Sequence, residues 1–123
     1  MKTIAIIMGD WSRNIGNAFF QLGGYHVLKE LLPDYSIHII PEQPGYPSYW
    51  NRRGGNPENC FDYVNFVKPD LLVIMGPCFR REIFSIWNDS LEKLMNKGTK
   101  LIFLGVAAMT YQEDDIELYR SLL

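Results

Sequence analysis

Two rhythms of apolar residues alternate along the chain. Unbroken or nearly unbroken apolar runs occupy residues 3–8 (TIAIIM), 35–40 (YSIHII), 70–75 (DLLVIM) and 100–105 (KLIFLG). Runs of this kind predict strands covered on both faces, the habit of a parallel sheet. Gly9, Pro41 and Gly76-Pro77 end the first three. Between the runs, apolar positions recur at helical spacing. Ile15, Ala18, Phe19, Leu22, Tyr25 and Leu28 form a stripe over residues 15–32, closed by Pro33. Asn56-Pro57 reads as an N-cap followed by proline at the first helical position, opening a helix to about Val67, and Lys68-Pro69 closes it. Ile83, Trp87, Leu91 and Leu94 mark a further helix with Gly98 as its C-terminal stop, and Thr110 with Glu113 makes a capping box for the last one.

Strand and helix repeated four times predict an α/β fold: a Rossmann-like parallel sheet of about four strands with helices on both faces, in the order 2-1-3-4. The 123 residues suit one domain, residues 1–123. The closing helix over 113–123 has no C-cap and no strand after it, so the domain is expected to be the N-terminal part of a longer, two-domain protein.

Composition narrows the function classes. The net charge of −2 offers no basic face for phosphates, so no nucleic-acid partner is expected. Cys60 and Cys78 have no second Cys or His at metal-ligand spacing, so neither a metal nor a cofactor is expected and both read as reduced thiols. The apolar run at the amino end is too short for a signal peptide, and no stretch approaches the ~20 apolar residues of a membrane span. A cytoplasmic location is the expectation.

In open α/β sheets, ligands bind beyond the carboxyl ends of the strands. After the first strand comes GDWSRNIGN, residues 9–17, where Asn14 can cap the helix, Gly16 admits close backbone approach, and the helix start favours an anion. The same residues also fit an ordinary capped helix. They form neither GxGxxG nor a P-loop, which argues against a standard nicotinamide or ATP site. After the third strand comes GPCFRRE, in which Arg80 and Arg81 could clamp a phosphate or carboxylate, or stand as solvated surface arginines.

The loop over residues 41–55 is long for such a connection. It holds three prolines, three glycines, Tyr46, Tyr49, Trp50, Arg52 and Arg53, and its aromatic faces suit a sugar ring as well as packing on the domain itself. Asp10 is the one carboxylate at a strand mouth that could act as a base or bind a hydroxyl. His26 and His38 read as structural. Gly23-Gly24 inside the first helix reads as close packing against the sheet. The candidate substrate-binding set is therefore Asp10, Asn14, Gly16, Asn17, Tyr49, Trp50, Arg80 and Arg81, with no catalytic residue assigned.

Three of these segments resemble the N-terminal half of the polysaccharide pyruvyl transferases, a family similar to the two-domain glycosyltransferase architecture called GT-B. Asn14-Ile15-Gly16-Asn17 resembles the family's Asn-x-Gly-Asp/Asn turn. Lys68-Pro69-Asp70 with the strand to Gly76 resembles its motif of Asp, apolar strand and Gly-Gly. Lys100 to Val106 resembles its strand followed by Gly-Val-Gly. Pro77 and Ala107 stand where the family often has further glycines. The resemblance implies an enzyme that transfers a pyruvyl ketal from phosphoenolpyruvate to a glycan or lipid-linked sugar acceptor in exopolysaccharide or cell-wall biosynthesis. It places phosphoenolpyruvate mainly on a second domain and the acceptor on this one. A lipid-linked acceptor would bring the protein to the membrane periphery through its substrate, and a homo-oligomer is compatible with the sequence. A glycosyltransferase domain of the same architecture and a non-catalytic glycan- or nucleotide-binding module are the alternatives.

Overall fold

The computed structural model describes residues 1–8, 15–41, 64–76, 81–106 and 112–122. Four strands, β1 (Lys2–Met8), β2 (Tyr35–Pro41), β3 (Leu71–Met75) and β4 (Lys100–Leu104), form one sheet in the order β2-β1-β3-β4. Every pairing is parallel: Ile4 lies beside Ile37 of β2 and Leu71 of β3, and Met75 beside Leu104 of β4. The helices are α1 (Ile15–Leu31), α2 (Arg81–Asn96) and α3 (Glu113–Leu122), and residues 64–67 are also helical. The chain therefore has the Rossmann-like α/β arrangement, with the expected strand order.

Period-two geometry sorts the strand residues onto two faces. Ile4 and Ile6 of β1 and Val73 and Met75 of β3 pack with Leu28 of α1, flanked by Tyr25 and Leu32. Ala5, Ile7, Leu72 and Ile74 point the other way, onto Val64 and onto Trp87, Leu91 and Leu94 of α2. The apolar runs are thus continuous because each strand feeds two cores. Among the described residues, Trp87 is the largest fully buried side chain.

The stripe drawn on α1 from sequence needs correction. Leu28 is buried and Ala18 and Tyr25 are half-buried, but Ile15, Phe19 and Leu22 are exposed. The inward line is Gln21, Tyr25 and Leu28, continued by Leu32 just past the helix; it keeps Tyr25 and Leu28 of the expected stripe and leaves Ile15, Phe19 and Leu22 outside. The helix is apolar on more than one side, so spacing alone could not pick the inner face.

The amino edge of the sheet is hydrogen-bonded across three strands. Thr3 donates its backbone N–H to Asp70 Oδ2 at 2.7 Å, and Asp70 N–H donates to Thr3 O at 2.9 Å. Lys100 N–H donates to Asp70 O at 2.9 Å, and Thr99 Oγ1 donates to Pro69 O at 2.8 Å. The Asp70 carboxylate of the Lys68-Pro69-Asp70 motif thus ties β1 to the start of β3. Gly98, at φ 94°, ends α2 as expected: its N–H donates to Met95 O and that of Thr99 to Leu94 O. These are the two bonds of a Schellman cap, which needs a left-handed residue in that place.

Trp87→Ala leaves a cavity in the α2-side core, and unfolding stability is expected to fall by about 3–5 kcal/mol. Gly98→Ala forces a side chain into left-handed backbone, at a cost of about 1–2 kcal/mol. Urea titration followed by far-ultraviolet circular dichroism checks both. A Trp87→Ala midpoint equal to wild type would contradict the packing described.

Candidate functional site

In the order 2-1-3-4 the chain leaves β1 toward one side, through α1 to β2, and leaves β3 toward the other, through α2 to β4. Adjacent parallel strands whose connections diverge open a crevice at their carboxyl ends, the topological switch point. Here that point lies between Met8 and Met75. The first turns of α1 and α2 flank it, since α1 begins at Ile15 and α2 at Arg81. Each brings the positive end of a helix dipole to the same edge.

The sequence-derived candidates divide accordingly. Gly16 and Asn17 lie in the first turn of α1 and Arg81 opens α2, so the backbone brings these three to the switch point. The side chains of Asn17 and Arg81 lie outside the described residues, as do Asp10, Asn14, Tyr49, Trp50 and Arg80 in full. Cys60, Cys78 and the whole 42–55 portion of the long loop are outside them too. His26 and His38 are exposed; His26 meets the Tyr25 ring edge-on, with centroids 5.5 Å apart, and His38 Nε2 stands 3.4 Å from Ser36 Oγ. Neither points to the switch point's chemistry. Among the described residues, no group of three His, Cys, Asp or Glu could hold a metal ion, and no helix is long and apolar enough to cross a membrane.

The described carboxyl edge contains features that strand-and-helix spacing did not single out. A half-open hollow of about 240 Å³ is lined by Phe20, Gly24, Val27, Met75, Leu104 and Gly105. It lies between α1 and the ends of β3 and β4, and its lining carries no charged side chain. Two glycines shape the edge. Gly76, at φ 93°, and Gly105, at φ 59°, turn the chain out of β3 and β4 in backbone conformations that side chains resist. At Gly76 an added Cβ would lie 3.0 Å from Cε2 and Cζ of Phe20, so the ring sits directly over that turn.

The glycine pair of α1 splits in role. A Cβ on Gly24 would run into the Met75 side chain, so this glycine serves close packing as expected, whereas a Cβ on Gly23 would meet nothing within 4 Å. Gln21, one turn before Gly24, is 2% exposed, and its Oε1 has no hydrogen-bond partner among the described residues. A polar group on the buried line of an α/β helix is uncommon, and an unsatisfied oxygen there is costly. The signal in sequence was a glutamine in register with Tyr25, Leu28 and Leu32, legible only once the inner face is known.

A second hollow, of about 210 Å³, opens at the amino edge near Asn65, Lys68, Asp70, Lys97 and Thr99. Lys97 Nζ reaches Asn65 Oδ1 at 3.5 Å there, and Asp70 is engaged by Thr3. It lies behind the strands, away from the diverging connections, so the carboxyl edge is the better candidate. Compared with known proteins, the chain matches no family model, no curated protein and no solved structure.

Gly76→Ala combines positive φ with a close approach to Phe20, and is expected to lower stability by about 1–3 kcal/mol. Phe20→Ala in the same chain should recover only the steric part, leaving the backbone cost. A double-mutant cycle by chemical denaturation measures the split; strict additivity of the two changes would show that the ring and the turn do not interact.

Proposed function

We propose that this chain binds an anionic sugar derivative at the β1–β3 switch point, as the acceptor-side domain of a transferase resembling the polysaccharide pyruvyl transferases. The supporting observation is the sheet order, which sets two helix N-termini beside one crevice at the carboxyl edge. Helix N-termini favour anions, and Arg80 and Arg81 fall in sequence at the mouth of that crevice. In this reading the arginines hold phosphate or carboxylate, Asp10, Asn14 and Asn17 engage hydroxyls, and Tyr49 or Trp50 lies against a sugar ring.

The reaction so proposed joins two glycan hydroxyl oxygens to C2 of the enolpyruvyl group. The bond from C2 to the phosphate oxygen breaks, and phosphate leaves. The C3 methylene gains a proton and becomes methyl, balancing one hydroxyl proton; the other departs with phosphate or solvent. An acid must serve C3 and an acceptor must serve the attacking hydroxyl. The second domain expected from the resemblance would supply the phosphoenolpyruvate site, and this chain the acceptor wall.

Binding is tested by calorimetric titration of the chain with a phosphorylated glycan and, separately, a sugar nucleotide. A charge-assisted hydrogen bond contributes ~1.5–3 kcal/mol, so Arg80→Ala and Arg81→Ala should each weaken binding about tenfold or more, with Trp50→Ala also weaker. Unchanged affinity in all three variants, with native circular dichroism, would place the site on another surface. Clear preference for the sugar nucleotide would favour the glycosyltransferase alternative. Phosphate release from phosphoenolpyruvate by this chain alone should stay at background, because substrate orientation worth ~7–11 kcal/mol requires both walls of a cleft.

A further inference from the structure

The outer face of α1 is unusual for a helix packed on a sheet. With Gln21, Tyr25, Leu28 and Leu32 turned inward, the solvent-facing line is centred on Gly23. Around it stand Ile15, Phe19 and Leu31, exposed at 74, 73 and 71%, with Val27 at 49% and Phe20 and Leu22 close to 40%. His26, Lys29 and Glu30 interrupt this side of the helix, yet an exposed apolar patch of this extent marks an interaction surface.

The order of these residues says what covers them. Counting outward from Gly23, Phe19 and Val27 are each four positions away, and Ile15 and Leu31 each eight. Ile15, Phe19, Val27 and Leu31 therefore stand symmetrically about Gly23, while Phe20 and Leu22 flank them without an apolar counterpart at His26 and Gly24. In an antiparallel pair of such helices crossing at Gly23, Ile15 faces Leu31 of the second copy and Phe19 faces Val27. Both contacts occur twice, as a two-fold interface requires.

Charge agrees with this pairing. Glu30, the one acidic residue on the face, lies seven positions after Gly23 and Gly16 seven before it. The carboxylate of each copy thus falls at the positive N-terminal turn of the other's helix. At Gly23 a Cβ would meet nothing, so the helix axes can approach closely at the crossing point.

The area is sufficient. Scaled by their exposures, the six apolar residues offer at most on the order of 700 Å² per chain, and a two-sided total on that scale clears the ~1,000 Å² expected of a specific interface.

We infer that the chain forms a two-fold homodimer through the outer face of α1, with the two helices antiparallel and crossing at Gly23. Phe20 and Val27 also line the carboxyl-edge hollow, so the dimer surface adjoins it; the dimer does not rest on what the β1–β3 switch point binds.

Two measurements test it. Sedimentation velocity across a wide concentration range should give a species of twice the chain mass, and Phe19→Glu combined with Val27→Glu should give a single chain with unchanged circular dichroism. In a chain with Cys60→Ser and Cys78→Ser, Gly23→Cys should form an intermolecular disulfide under mild oxidation in high yield, while Glu92→Cys on α2 should not. A single-chain mass at every concentration would overturn the dimer. So would a dimer that survives the paired glutamates, or cross-linking at residue 92 as efficient as at residue 23.

Discussion

The whole arrangement depends on β1 being paired on both edges at once. A parallel strand cannot be joined to its neighbour by a tight turn, so each partner of β1 must be reached by a crossover. Crossovers in such sheets are right-handed, so the connection to β2 on one side and the helix linking β3 to β4 on the other fall on opposite faces. The two buried faces of β1, with Ile4 and Ile6 toward α1 and Ala5 and Ile7 toward α2, follow from that rule. The crevice at the carboxyl edge follows from it too. It is where two connections that must part company leave adjacent strands.

The strand order and both sheet faces were legible in the sequence for a simple reason. The runs IAIIM and LLVIM, after Thr3 and Asp70 at their amino ends, have no polar member to place in water, so they had to be interior on both sides. Gly98 was legible as a helix stop because its cap needs a backbone state that other residues resist. The orientation of α1 was not. Ile15, Phe19 and Leu22 satisfy helical spacing as well as Tyr25 and Leu28 do, and only the register against Ile4, Val73 and Met75 decides between them. Gln21 escaped for the same reason, since its burial depends on that rotation.

The candidate site was legible mainly as a location. Motif spacing set Gly16, Asn17 and Arg81 at helix starts, and parallel pairing of β1 with β3 put those starts on one edge. What lines the edge came from packing between elements distant in sequence, as where Phe20 covers the Gly76 turn. The Lys68-Pro69-Asp70 motif shows the opposite case. Its aspartate belongs to the architecture, engaging Thr3 behind the strands, so a motif with a functional resemblance contains a residue whose described bonds are structural.

The bond between Thr3 and Asp70 also bears on how the fold is reached. It joins residues 67 apart, and the β1–β3 ladder beside it spans a similar separation. The half built from β1, α1 and β2 closes over a much shorter stretch of chain. Bringing β3 home requires the ends of a long segment to meet before any long-range pairing rewards the loss of chain freedom, and that entropy grows with segment length. Contact order of this kind slows folding relative to helical domains of similar size. Until β3 docks, β1 has a bare edge and its Ala5 and Ile7 face lacks its cover, which makes the nascent half of the sheet the stage most open to intermolecular mispairing.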